Sequence, residues 1–192
     1  MKHNHTTFDY GVVGYLEQDP DCDSPLEYDE AVKVAILHHH YRNPAPECGD
    51  NPDDLKAWGE ANKDEWDAFP LFMYEHGNVC YEVACTEDGN PFSGRVGYVF
   101  VKKSDVPDTF NSAEIMCEEY TKWANGDCWG YIIENEDGEQ LDSCWGFVGE
   151  DYAVAEMRAA AEGYVDGERE RHDTEMADEI ATSRPDLTPL EN

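Results

Sequence analysis

The chain has 192 residues, 44 of them acidic and 13 basic, for a formal net charge of −31. That lies far beyond the magnitude of about 2–8 that keeps a small domain soluble, and it argues against nucleic acid and anionic membranes as ligands while favouring basic grooves. A hydrophobic content of 40%, with 12% aromatic residues, is enough for a core and argues against wholesale disorder.

The stretch to residue 18 carries Phe8, Tyr10, Val12, Val13, Tyr15 and Leu16, and reads as a strand or an irregular segment broken by Gly11 and Gly14. Ser24, Pro25 and Glu27 make a Ser-x-x-Glu start signal. A helix is therefore expected from there to Tyr41, although its β-branched residues keep a strand open. Residues 42–52 form a Pro/Gly/Asp loop. A second helix starts at Asp53 or Asp54, with Leu55, Trp58, Ala61 and Trp66 near helical spacing. From Phe69 the pattern turns to β: residues 71–73, 79–85 and 95–101 are strand-like, with a turn at 86–91. Asn111 or Ser112 caps a helix that runs to Ala124 and stops at Gly126. Residues 128–134 and 140–147 then form a hairpin around Asp137-Gly138. Two Cys-Trp-Gly triplets flank that turn, which predicts Trp129 and Trp145 as core-packed neighbours across the ladder. A helix over 150–165 follows. The expected fold class is α+β: a central antiparallel sheet with hairpins, covered by three or four helices. Residues 1–165 form one domain in this reading, and 166–192 an acidic helical extension or a disordered tail.

No apolar run approaches the ~20 residues of a bilayer span, and the N-terminus has no hydrophobic segment of the kind a signal peptide needs. The seven cysteines include no Cys-x-x-Cys pair and read as reduced, mostly buried thiols. Asp19, Asp21, Asp23, Glu27 and Glu30 occupy positions 1, 3, 5, 9 and 12 of a calcium loop. Ser24 stands where that loop needs glycine, and Pro25 pushes it towards extended backbone, so calcium is the weaker alternative. His38, His39 and His40 would point about 100° apart on a helix and not converge on one ion. No phosphate-binding glycine loop, zinc spacing or nucleophile motif is present. A cryptic site using Glu75, His76 and Cys85 is the residual enzymatic possibility. No catalytic residue and no cofactor is assigned.

The acidic residues cluster. The candidate partner-binding groups are Asp53 and Asp54; Glu60, Asp64, Glu65 and Asp67; Glu134, Glu136, Asp137, Glu139 and Asp142; and Glu162 and Asp166. Glu60 and Asp64 are expected four apart on one helix face, where like charges repel. A compact chain of this length is about 40 Å across. Duplex DNA of that length carries about 25 charges, so the two are of the same order. Adaptation to high salt would also produce an acidic surface, but the cysteine and aromatic content fits it less well.

The hairpin from Gly130 to Phe147 resembles a motif in small uncharacterised proteins of bacteriophages and mobile elements. So do residues 17–25, 69–76 and 94–101, and the resemblance covers roughly residues 8–149. The loop at 90–93 and the acidic region after Tyr164 depart from it. The family brings no catalytic residues with it. What it implies is a setting: an accessory product in the cytoplasm of an infected host, where small acidic proteins block restriction or CRISPR systems by occupying nucleic-acid grooves. The expected partner is thus a basic host protein or nucleoprotein complex, with no direct nucleic acid and no membrane. The alternative is an enzyme or small-molecule binder that disables a defence signal, with a pocket lined by Trp129, Tyr131 and Trp145.

Overall fold

The computed structural model describes residues 2–84 and 94–183. The chain is α+β, with two antiparallel four-stranded sheets and three α-helices. It divides into two compact units: Met1–Glu17, Gly130–Trp145 and Asp151–Asn192 form one, and Gln18–Trp129 with Gly146–Glu150 the other.

The second unit is built on β3 (Val32–Ile36), β4 (Trp66–His76), β5 (Asn78–Val83) and β6 (Gly94–Lys102), in the order β3-β6-β4-β5. Side chains alternate across these strands, and both faces are covered. Val32, Val34, Ile36, Val99 and Val101 face one way, onto Ala113, Met116, Cys117 and Tyr120 of α2 (Thr109–Ala124). Ala35, Tyr98 and Phe100 face the other way, onto Leu55 of α1 (Pro52–Ala61). Burial on two faces is why β3 reads as a near-continuous apolar run. The helix expected from Ser24 to Tyr41 is therefore corrected. Ser24 does cap, accepting from Leu26 N–H at 3.3 Å, but it caps a single 3-10 turn at Pro25–Glu27. Gly97 lets β3 and β6 close, since a Cβ there would lie 1.8 Å from the Ala35 carbonyl oxygen.

Two further expectations move. α1 ends at Ala61, where Asn62 caps it, and Trp66 opens β4 instead of continuing the helix. α2 begins one turn earlier than expected, because the Asp108 carboxylate accepts from Asn111 N–H at 3.1 Å. β5 turns back at Gly77 onto β4, and β6 pairs with β4 and β3. The turn expected at 86–91 lies outside the described residues.

The first unit carries most of the other sheet, ordered β1-β2-β7-β8: β1 (His3–Thr7), β2 (Val13–Gln18), β7 (Cys128–Glu134) and β8 (Gln140–Val148). Gly14 lies within β2 and does not break it. The hairpin stands as expected. Its turn is held by Asn135, whose Oδ1 accepts from the N–H groups of Asp137 (3.1 Å) and Glu139 (2.8 Å). α3 (Glu150–Ser183) is one continuous helix of 34 residues. Ala153, Met157, Ala161 and Val165, four apart, form its buried seam, and every described side chain from Asp166 onward is exposed or half-buried.

The tryptophan expectation holds for one residue. Trp129 is 8% exposed and donates from Nε1 to Asp127 at 2.6 Å. Trp145 is 46% exposed, and its ring lies over Gly130, where a Cβ would meet it at 2.2 Å. Among the described cysteines Cys48, Cys117 and Cys128 are buried, Cys22 is half-buried, and Cys80 and Cys144 are exposed, so burial is less general than expected. Burial pushes the Cys48 thiol up to about 11 and those of Cys117 and Cys128 to about 12.

Candidate acidic interaction surface

No charged side chain is buried among the described residues, so their carboxylates lie at the surface. Their local chemistry separates those with structural work from those left facing solvent.

In the second unit Asp53 and Asp54 sit in the first turn of α1, where negative charge meets the helix N-terminus favourably. Asn51 accepts from both of their N–H groups and donates to the Asp54 carboxylate at 2.6 Å. Glu60 lies in the last turn and pairs with Lys63 at 3.4 Å. Asp64 and Glu65 fall in the turn after the helix, so the expected repulsion between Glu60 and Asp64 on one helix face does not arise. Asp67, on β4, accepts from Thr109 Oγ1 at 2.7 Å and pairs with Lys103 at 3.0 Å. Burial raises its pKa, but these two hydrogen bonds outweigh burial and leave it below the usual value.

In the first unit Glu134 is engaged: it accepts from Tyr15 Oη at 2.7 Å and pairs with Lys2 at 3.2 Å. The Tyr15 hydrogen bond is the main cause of its lowered pKa, with Lys2 next. Asp142 accepts from Ser143 N–H at 2.8 Å and from Tyr131 Oη at 3.3 Å. Glu139 accepts from Asn135 Nδ2 at 3.0 Å. Glu136 and Asp137 stand exposed on the turn.

A long, only partly compensated acidic array runs along α3. Glu162, Asp166, Glu170 and Asp173 recur at i, i+4, i+8 and i+11 along a face that flanks the buried seam, with Glu162 and Asp166 beside Val165, and all four are exposed. Asp166 is paired with Arg169 at 2.6 Å, and Glu168 with Arg171 at 2.6 Å. Over 166–183 there are seven acidic and two basic residues, a net of −5. At 1.5 Å per residue that stretch is about 27 Å long, or one net charge per ~5 Å. One strand of a nucleic-acid duplex carries one per ~3.4 Å. Asp173, Glu175, Asp178 and Glu179 were not among the sequence candidates. The signal for them was the helical spacing of acids after Tyr164, which a tail reading hides.

The calcium-loop residues do not converge. Asp19 accepts from Asp21 N–H at 3.1 Å and from Gly146 N–H at 3.0 Å, while Asp23 accepts from Tyr28 Oη. Glu27 belongs to the 3-10 turn and Glu30 to the approach to β3. His38, His39 and His40 lie in a turn after β3, not on a helix, with ring centroids 3.8–5.4 Å apart. Among the described residues no three His, Cys, Asp or Glu side chains could hold a metal ion. Glu75 accepts from Tyr41 Oη at 3.0 Å, His76 ends β4, and Cys85 lies outside the described residues. No helix among the described residues is long and apolar enough to cross a membrane. No family model matches this chain, and no curated protein or solved structure matches it.

Proposed function

We propose that this protein is an acidic accessory protein of phage or mobile-element type. It acts in the host cytoplasm by nucleic-acid mimicry, inhibiting a restriction or CRISPR system through that system's basic nucleic-acid-binding surface. The observation that supports this most is the exposed row Glu162, Asp166, Glu170 and Asp173 on α3, a helix whose residues 166–183 carry a net charge of −5. A helix holds its carboxylates at fixed spacing, and the Asp166–Arg169 and Glu168–Arg171 pairs still leave the stretch net negative, as substitution for a phosphate strand requires.

The test begins with capture from a host lysate on the immobilised protein. The expected catch is a nucleic-acid-binding protein whose retention falls steeply as salt rises from about 50 to 200 mM. Duplex DNA should compete for it. Changing Glu162, Asp166, Glu170 and Asp173 to Lys should weaken binding at least about tenfold, whereas Asp53→Asn should change it little, because that residue serves the α1 terminus. A captured partner that keeps its DNA while bound, or a catch without nucleic-acid-binding proteins, sinks the reading.

A further inference from the structure

The second unit contains a cleft of about 470 Å³ between α1 and the sheet face that carries Tyr98 and Phe100. Its position is not the one expected for a pocket, since Trp129, Tyr131 and Trp145 do not line it. Three of the chain's thirteen basic residues do: Lys56, Lys63 and Lys103. Against these three stand Glu60 and Asp67, leaving a net lining charge of +1. Lys102 and Lys103 also line an adjoining cleft, where Asp64 and Glu65 balance them. Other clefts follow the overall charge: one is lined by Glu27, Asp29, Glu30 and Glu47 with Lys33 alone, another by Asp9, Glu162 and Asp166 with Arg169 alone.

The way the cleft is built explains its character. Leu55 and Gly59, one helical turn apart, face the sheet, and Gly59 lets α1 approach so closely that a Cβ would lie 3.3 Å from the Phe100 ring. Lys56 and Glu60, the next pair around the helix, form the rim. Lys103 is fixed, donating to the Lys63 carbonyl at 2.7 Å and pairing with Asp67 at 3.0 Å. Lys56 makes no ion pair among the described residues, and Lys63 holds Glu60 only at 3.4 Å with both side chains largely exposed. Trp66, half-buried beside the lysines, lines the cleft, packs edge-to-face on Trp58 at 5.6 Å and has Lys33 Nζ 5.8 Å from its ring centroid, so the ring is braced in place.

We propose that this cleft binds a mononucleotide, with the base against Trp66, the phosphate held by Lys56 and Lys63, and Glu60 accepting from the sugar or base. A bare inorganic anion would leave the aromatic surface unused, and an uncharged ring would leave Lys56 unpaired. The volume lies in the range of about 300–1,000 Å³ typical of small-ligand sites. Aromatic stacking and lysine–phosphate contacts are each favourable enough to matter. This site does not depend on the mimicry reading, since no residue of the α3 row takes part.

The experiment is a titration of the full chain at low ionic strength with adenosine 5′-monophosphate, uridine 5′-monophosphate, adenosine and inorganic phosphate. It is followed by calorimetry and by the indole N–H signal of Trp66 in NMR. At least one nucleotide should bind one-to-one with a dissociation constant below about 1 mM and shift the Trp66 signal. Adenosine and phosphate should each bind at least about tenfold more weakly. The double change Lys56→Ala and Lys63→Ala should weaken nucleotide binding at least about tenfold without altering the circular dichroism spectrum, since both side chains are exposed. Failure of both nucleotides to bind, equal binding of phosphate alone, or binding that survives the double change overturns the proposal.

Discussion

At the scale of single residues, a carboxylate's availability is decided by its donors. Glu134 is taken up by Tyr15 and Lys2, and its pKa falls below the ordinary glutamate value of 4.5, first because of the Tyr15 hydrogen bond. A group with a lowered folded-state pKa stabilises the fold above its unfolded pKa, and that contribution is lost as pH falls through the folded value. Tyr15→Phe should therefore move the Glu134 titration midpoint up towards its ordinary value, as read by carbon NMR of the carboxyl group. An unchanged midpoint would mean that the Tyr15 hydrogen bond does not govern it. Glu136 and Asp137, four residues or fewer along the same hairpin, show how little sequence proximity says: they stand exposed on the turn.

At the scale of elements, α3 has two parts with different sources of order. Its first half is fastened by the seam Ala153, Met157, Ala161 and Val165, and its second half has no buried side chain among the described residues. Met157 is 0% exposed, so Met157→Ala should cost about 2–5 kcal/mol in urea unfolding. Glu175→Ala, in the second half, should stay within about 0.5 kcal/mol. Amide hydrogen exchange should show a step after Val165, with the later amides exchanging much faster than those of the seam. Uniform protection along α3 would reveal packing of the second half against a surface not seen here. The hairpin and α2 were legible in the sequence because Asp137-Gly138, Asn125 and Gly126 punctuate unambiguous periods. β3 was not. Val32 to Ile36 is apolar enough for a buried helix or a strand covered on both faces, and only its pairing with β6 resolves the ambiguity. α1 was read too long because Trp66 matches a helical period by chance, while Asn62 ends the helix.

At the scale of the molecule, the net charge of −31 acts on stability as well as on recognition. Thirteen bases cannot offset 44 acids, so the folded state carries self-repulsion that salt screens over about 10 Å at 0.1 M. Raising sodium chloride from about 0.02 to 0.5 M should therefore raise Tm by about 5 °C or more in a calorimetric scan. A Tm that falls with salt would show that ion pairs such as Lys103–Asp67 outweigh the repulsion.

The sequence by itself determined the charge imbalance, the α+β class and the hairpin, because each follows from composition or from residues close together in the chain. Only the tertiary structure decided which carboxylates remain uncommitted and where the few lysines gather. Asp67 meets Lys103 across 36 positions and Glu134 meets Lys2 across 132, through strand pairing that no local period encodes. The cleft beside α1 arises in the same way, from a helix residue, a strand tryptophan and a loop lysine that become neighbours only when the sheet forms.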